Sequence, residues 1–353
     1  MGVYVGVDFH VKTQTVCWMD TADGEIHQRT LDHQHEDVGG FYAQWTTPVT
    51  VGVEALGYTG WFHRLVEQHG HHLLVGDAYA IRQFARRRQK NDRRDAELLL
   101  DLLRRGDFPA VHRPSPASRE VLDLLHHRER LVRLRTVLKN SLQAVALNHG
   151  LARQRGLFTA QGRAALAALP LSPAEDWQRR DSLELLDQMG ERVAALDREL
   201  EQRAGADPRV QRIRTHPGVG RLTALAAVHT LTPVTRFGHG RQVAAYCGLD
   251  PREHSSGETI RHGRISKQGN RLLRALLVEA AWSAIRPGQC DDLRRFYFHL
   301  AAHKSSGVAI VAVARKLAVR LYRMLREEID YEEFRRRGRD ARRARPVDEA
   351  VKA

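Results

Sequence analysis

Val3-Tyr4-Val5-Gly6-Val7-Asp8-Phe9 is a short valine-rich run that closes on an acid. β-branched residues packed this densely read as a buried strand, and an aspartate at its end delivers a carboxylate to a sheet edge. Thr13 to Met19 reads as a second strand, Ala22-Asp23-Gly24 as a turn, and Glu25 to Leu31 as a third strand. A helix is expected around Asp37 to Trp45, a strand over Thr50 to Ala55, a helix over Trp61 to His69, and a short buried strand over His72 to Gly76. A β-meander followed by strands alternating with helices is an α/β layout.

That succession is the order of an RNase H-like domain, and it gives the acids a geometry. Asp8 ends the first strand and Glu54 ends the run Val51-Gly52-Val53. Asp92 and Asp95, three apart at a helix start, can point the same way. Four carboxylates are a hard oxygen set that suits magnesium, which shares its coordination with substrate phosphates. Two such ions about 3.5 to 4 Å apart can activate a nucleophile and stabilise the leaving oxygen in phosphoryl transfer. His10 reads as a neighbour of Asp8 on the opposite strand face.

Composition points to the same class of substrate. Lys and Arg total 56 against 42 Asp and Glu in 353 residues, a formal charge of +14 with a pI near 10.2. Such an excess, nearly all arginine, is the footprint of a polyanion binder, and arginine grips phosphate through a planar fork. Cys17, Cys247 and Cys290 are far apart with no C-x-x-C pair, so neither a zinc site nor a disulfide framework is indicated. No charged leader with an apolar core opens the chain, and no apolar run is long enough for a membrane span; a cytoplasmic protein with no membrane partner is expected.

Further along, Ala78 to Arg105 reads as helical with a break near Gln89 to Asp92, and from Ile81 it carries nine Arg or Lys against four acids. Pro109, Pro114 and Pro116 mark a boundary. Ser118 to Asn148 and Ser182 to Gln202 have helical apolar spacing and read as two arms of an antiparallel coiled coil, serving either packing within the chain or dimerisation. Mainly helical structure is expected from Asp207, with helices over Leu222 to Leu231, Asn270 to Ile285, Asp291 to His303 and Val308 to Glu328. The division is therefore 1–114, an α/β catalytic domain; 115–206, a helical coiled-coil region; 207–329, a mainly α domain; and 330–353, an Arg-rich tail without fixed structure.

Gly6-Val7-Asp8, Val53-Glu54-Ala55 and Lys90-Asn91-Asp92-Arg93-Arg94-Asp95-Ala96 together resemble the DEDD transposases of insertion-sequence family 110 and the related Piv-type invertase. Asn91 stands where that family often has Thr. Thr215-His216-Pro217-Gly218-Val219-Gly220, Tyr246-Cys247-Gly248-Leu249-Asp250-Pro251, Ser255-Ser256-Gly257 and Gly263-Arg264-Ile265-Ser266-Lys267-Gln268-Gly269-Asn270 extend the resemblance over residues 3 to 328.

The resemblance implies a RuvC-like N-terminal domain, a coiled-coil region and a C-terminal transposase domain supplying a catalytic serine. That serine maps onto Ser256, with Ser255 the alternative. It further implies donor and target DNA as substrates and a noncoding bridge RNA as guide, and recombination of two duplexes favours a dimer or tetramer. Near Ser256, Arg261, Arg264, Lys267, Arg271 and Arg274 are cations suited to a scissile phosphate, His254 is a candidate proton relay, and His216 to Gly220 could present backbone N–H groups to phosphate. A Holliday-junction-type nuclease using the acids alone, and a nucleic-acid-binding scaffold, are the competing readings.

Overall fold

A computed structural model describes residues 2–84, 92–152, 156–253 and 262–343. The chain divides into two compact units, Met1–Arg113 and Pro114–Ala353.

The first unit is mixed α/β. Its elements are β1 (Val3–Phe9), β2 (Thr13–Asp20), β3 (Ile26–Asp32), α1 (Val38–Ala43), β4 (Thr50–Glu54), α2 (Gly60–Gln68), β5 (His72–Gly76), α3 (Ala78–Phe84) and α4 (Asp92–Arg105). The five strands lie in the order β3-β2-β1-β4-β5. β2 pairs antiparallel with β1 and β3, whereas β1, β4 and β5 pair in parallel, so β2 alone runs against the rest.

Strand alternation gives the sheet two faces. Val5, Val7, Phe9, Val51 and Val53 pack with Phe41 and Tyr42 of α1 and Phe62 and Val66 of α2; full burial of such side chains contributes about 1.5–3 kcal/mol each. Tyr4, Cys17 and Met19 meet Ala96 and Leu100 of α4 on the other face. β5, read from its composition as buried, is an edge strand: His72 is exposed and Leu73 and Leu74 are half-buried. The break expected near residues 89–92 falls mainly outside the described residues.

The second unit is mainly helical: α5 (Pro116–Asn148), α6 (Ala160–Ala167), α7 (Pro173–Ala206), α8 (Pro208–Arg214), α9 (Arg221–Leu231), α10 (Gly240–Tyr246), the hairpin strands β6 (Pro251–Glu253) and β7 (His262–Ile265), α11 (Arg271–Ala284), α12 (Asp291–Ala301), α13 (Ser306–Arg326) and α14 (Tyr331–Arg343). α7 begins well before Ser182 because Ser172 and Glu175 form a reciprocal capping box around Pro173. α5 and α7 run antiparallel, as Arg128 Nε to Asp197 Oδ1 at 2.8 Å and His149 Nε2 to Glu175 Oε1 at 3.1 Å require.

Packing continues across residues 206 and 207. Val121 and Leu125 of α5 and Leu200 and Ala204 of α7 share one core with α8 to α13. The far end of the helical pair has its own cluster, Leu142, Ala146, Leu157, Leu166 and Leu186. The tail is not structureless throughout: α14 folds because Tyr331 and Phe334 pack on the main core and Glu333 pairs with Arg336 and Arg337; residues 344–353 lie outside the described residues. All three cysteines are free and buried. Among the described residues, no helix is long and apolar enough to cross a membrane.

Candidate active site

Two glycines bring the acids of the first unit together. Gly6 shares the α4-facing side of β1 with Asp8. A Cβ on Gly6 would lie 2.4 Å from the Ala96 carbonyl oxygen and 2.5 Å from the Leu100 nitrogen. Gly52, its register partner on β4, would place a Cβ 2.9 Å from Leu103 Cδ1 and from Phe108 Cε2. A side chain at Gly6 would lift α4 off the sheet, and one at Gly52 would displace the Leu103 and Phe108 side chains. With glycine there, the helix lies close, and its first turn carries Asp92 and Asp95 to the end of β1.

Asp8 Oδ2 lies 3.1 Å from His10 Nε2, which lies 3.4 Å from Asp92 Oδ1. One donor atom from each of Asp8, His10 and Asp92 falls within 4.8 Å of the others. The Asp8 carboxyl is raised above its ordinary range by burial; His10 opposes the shift, and the charges of Asp95 and Asp92 add to it. Half-buried like charges of this kind are relieved by a bound cation. The donor set, carboxylate oxygens plus one imidazole, fits a divalent ion of the magnesium or manganese kind.

The placement of the other expected ligands is uneven. Asp95 is near enough to Asp8 to raise its pKa but lies outside the three-donor group. Glu54 follows Val53, the partner of Val7, so it ends the strand beside Asp8. It too is outside that group, with Arg82 Nη2 at 3.9 Å from its Oε1.

His10 corrects the sequence reading. Residues two apart along an extended chain share a face, so His10 follows Asp8, and Phe9 is the residue on the opposite side. The i, i+2 spacing in Asp8-Phe9-His10 held the signal.

In the second unit, Ser256, Ser255, His254 and Arg261 lie outside the described residues. Their flanks are tightly built. Pro251 pairs with Ile265 across the hairpin. Ser266 Oγ donates to Asp250 Oδ1 at 2.7 Å, and Arg252 donates to the Ser266 carbonyl at 3.2 Å. Gly248 has φ +64°, and a Cβ there would meet the Gln268 carbonyl oxygen at 2.2 Å. Arg274, read as a phosphate cation, donates instead to the Cys247 carbonyl at 3.0 Å. Asn270 caps α11 by accepting from Leu273 N. Arg264, Lys267 and Arg271 are exposed.

The His216–Gly220 segment is a packed turn. His216 is 1 % exposed, its ring lies 4.5 Å from that of Tyr331, and burial lowers its pKa to about 4. Gly218, at φ +85°, backs onto α11, where a Cβ would sit 2.5 Å from the Ala284 nitrogen. Its glycine and histidine are thus accounted for by packing.

Comparison with known proteins reaches both units. A family model described as a transposase, of the DEDD and IS110 type, matches residues 5–149, and one described as transposase IS116/IS110/IS902 family matches residues 210–297. The chain is 29% identical over 339 residues to a Pseudomonas aeruginosa protein named "Probable family 20 transposase", covering 93% of this chain and 98% of that one. It is 32% identical over 248 residues to the transposase for insertion sequence element IS1111A of Coxiella burnetii, covering 69% and 68%. The transposase for insertion sequence element IS1328 of Yersinia enterocolitica is 29% identical over 77% of this chain and 82% of its own length. With acids, glycine-built scaffold and both matches in agreement, the chain belongs to the IS110 family of insertion-sequence transposases, DNA transposases by activity.

Proposed function

We propose that this transposase breaks and rejoins DNA strands by metal-dependent phosphoryl transfer, with Asp8, Glu54, Asp92 and Asp95 holding magnesium, two ions in the full site, and Ser256 as nucleophile. The single observation that carries the metal half is the convergence of Asp8, His10 and Asp92 on one point, with Asp95 electrostatically coupled to it. The strand order with β2 reversed supports reading the first unit as RuvC-like. The further division of the second unit into a coiled-coil region over 115–206 and a transposase domain over 207–329 is part of the same reading.

A bound divalent ion would neutralise charge on the scissile phosphate. The protein's own groups do the rest. Asp8 and Asp92 would hold that ion, and exposed Arg264, Lys267 and Arg271, with Arg261, supply positive charge for the strand. The Ser256 hydroxyl gives up its proton as its oxygen bonds to phosphorus. The P–O bond to the leaving strand breaks, and that strand departs as a hydroxyl. Attack by a hydroxyl of another strand reverses the step and frees the serine, so the bond is conserved for rejoining. A bridge RNA pairing with donor and target DNA would set sequence choice, as base pairing does in other RNA-guided systems, and the +14 charge suits both polyanions. A dimer or tetramer would hold two duplexes.

The test is incubation with magnesium, element-end DNA and the flanking noncoding RNA, followed by mass spectrometry for a protein–DNA adduct. A phosphoserine at Ser256 supports the reading, an adduct at Ser255 reassigns the nucleophile, and cleavage with no adduct overturns it. The last outcome favours a Holliday-junction-type nuclease, a reading supported by a three-donor centre that stands entirely within the first unit. Ser256→Ala then keeps full cutting.

A further inference from the structure

Beside the acids, the same end of the sheet carries exposed aromatic rings that metal chemistry does not use. Tyr58 and Trp61 come after Glu54 in the chain, in the connection from β4 to α2 and the first turn of α2. Tyr58 is 48% exposed and Trp61 37%. Both rest on the buried ring of Phe9, the residue between Asp8 and His10: its centroid is 6.0 Å from that of Tyr58 and 5.7 Å from that of Trp61. His33 packs edge-on to Trp61 at 5.0 Å and against Phe9 at 4.9 Å, its ring held by a hydrogen bond to the Val11 carbonyl.

Exposed rings on a fixed aromatic floor have a cost and a use. Part of their apolar surface stays in water. Aromatic faces stack with nucleobases of any sequence, and Phe9 ties these two to the same strand end as the candidate metal-holding carboxylates. Strand alternation sends Asp8 and His10 to one side of the sheet and Phe9 to the other. The acids and the rings thus stand on opposite faces at one strand end, and a DNA strand crossing that end would pass from one to the other.

We propose that Tyr58 and Trp61 form a stacking platform for an unpaired base flanking the scissile phosphate, so that they are positioning residues for the cleaved strand. Stacking on the platform holds the strand in register with the acidic centre. The inference rests on the transposase reading and assigns it a substrate feature: one nucleotide beside the junction is unstacked from its neighbours when bound.

The experiment is photocrosslinking of the full-length protein to element-end DNA, with 5-iodouracil placed at one position at a time across the junction, in EDTA so that no strand is cut. A parallel series carries 5-iodouracil in the flanking RNA, to separate a DNA base from an RNA base. The expected result is a crosslink from one or two adjacent DNA positions, mapping by mass spectrometry to Tyr58 or Trp61. It should persist in Tyr58→Phe and Trp61→Phe, and fall in Tyr58→Ala, which removes an exposed ring without opening the core.

In magnesium, Tyr58→Ala should lower kcat/KM for cleavage about 5- to 150-fold, the range of one lost base stack. Tyr58→Phe should restore it. Crosslinks mapping elsewhere, or only from RNA, with DNA binding and cleavage intact, overturn the platform and leave the transposase reading standing. Failure of the unmodified protein to bind and cut this DNA under any of these conditions overturns both.

Discussion

The β1–α4 corner of the first unit and the β6–β7 hairpin of the second both carry family motifs, yet their residues divide labour differently. At the corner, glycines make room and acids are left free: Gly6 and Gly52 admit α4, and Asp8, His10 and Asp92 converge with their donor atoms on one point. Around the hairpin, several described motif residues are occupied in holding structure. Ser266 binds Asp250, Arg274 binds the Cys247 carbonyl, and Gly248 lies against Gln268. Around the hairpin these partners are structural groups, whereas at the corner the donor atoms face one another and Asp92 and Asp95 add like charge beside Asp8. The contrast assigns different consequences to substitutions in each place.

The largest effect is expected at the corner. Asp8→Asn removes a donor from the three-residue centre while keeping its size, and DNA cleavage should fall by roughly 10³-fold or more, since such an ion supplies several kcal/mol at the transition state. Circular dichroism and urea midpoint should stay near the parent's, or rise, because the half-buried acid is held above its ordinary pKa by burial and by its neighbours. A loss of fold together with activity would make Asp8 a scaffold residue and erase the contrast.

Glycine substitution sharpens it from the other side. Gly6→Ala puts a methyl 2.4 Å from a backbone oxygen of α4, and overpacking of this kind costs about 1–3 kcal/mol. Gly248→Ala adds a left-handed φ of +64° to a 2.2 Å approach, and the left-handed conformation alone costs a non-glycine residue about 1–2 kcal/mol. Both should lower the urea midpoint. Gly6→Ala should also reduce metal-dependent cutting, because Asp92 rides on α4.

Much of the corner was legible from Val3 to Phe9, because a period of two and an acid at the strand end are local signals. Glu54 and Asp95 were harder, since ligand distance depends on how α4 and β4 sit and not on spacing alone. His10 was misread even though the needed rule is local: its side chain falls on the Asp8 face. Around the hairpin, Arg274 looked like a phosphate cation because sequence shows charge and hides the carbonyl that takes it. The helical pair was readable from its leucines, but that its base joins the core of α8 to α13 was not, because such contacts join residues far apart in sequence. Tail composition concealed α14, whose apolar anchors among the described residues are Tyr331 and Phe334 amid many arginines.

His216 tests the scaffold side through pH. Burial lowers its pKa from 6.5 to about 4, so the folded protein keeps it neutral where the unfolded chain takes up a proton. Its contribution is fully present above pH 6.5 and is lost as pH falls from 6.5 towards 4, by roughly 3 kcal/mol in all. His229, lowered by burial in the same direction, adds to the slope. Urea midpoints of the parent should drop between pH 7.5 and 5, and His216→Gln should flatten that drop in part. An unchanged slope would mean that the ring is not buried in the neutral form.

The smallest effect separates ligand from neighbour at the corner itself. Asp8 and Asp92 are carboxylates that any hard cation accepts, but His10 Nε2, 3.1 Å from one and 3.4 Å from the other, is a nitrogen donor. Magnesium takes nitrogen reluctantly and manganese more readily. If His10 coordinates, His10→Asn should weaken manganese-supported cleavage more than magnesium-supported cleavage, with an overall loss of about tenfold or more, as for groups that orient metal ligands. Equal losses with both ions would place His10 in the outer shell, orienting Asp8 through the hydrogen bond seen between them. The acids would then be the direct donors, and the histidine would join the scaffold after all.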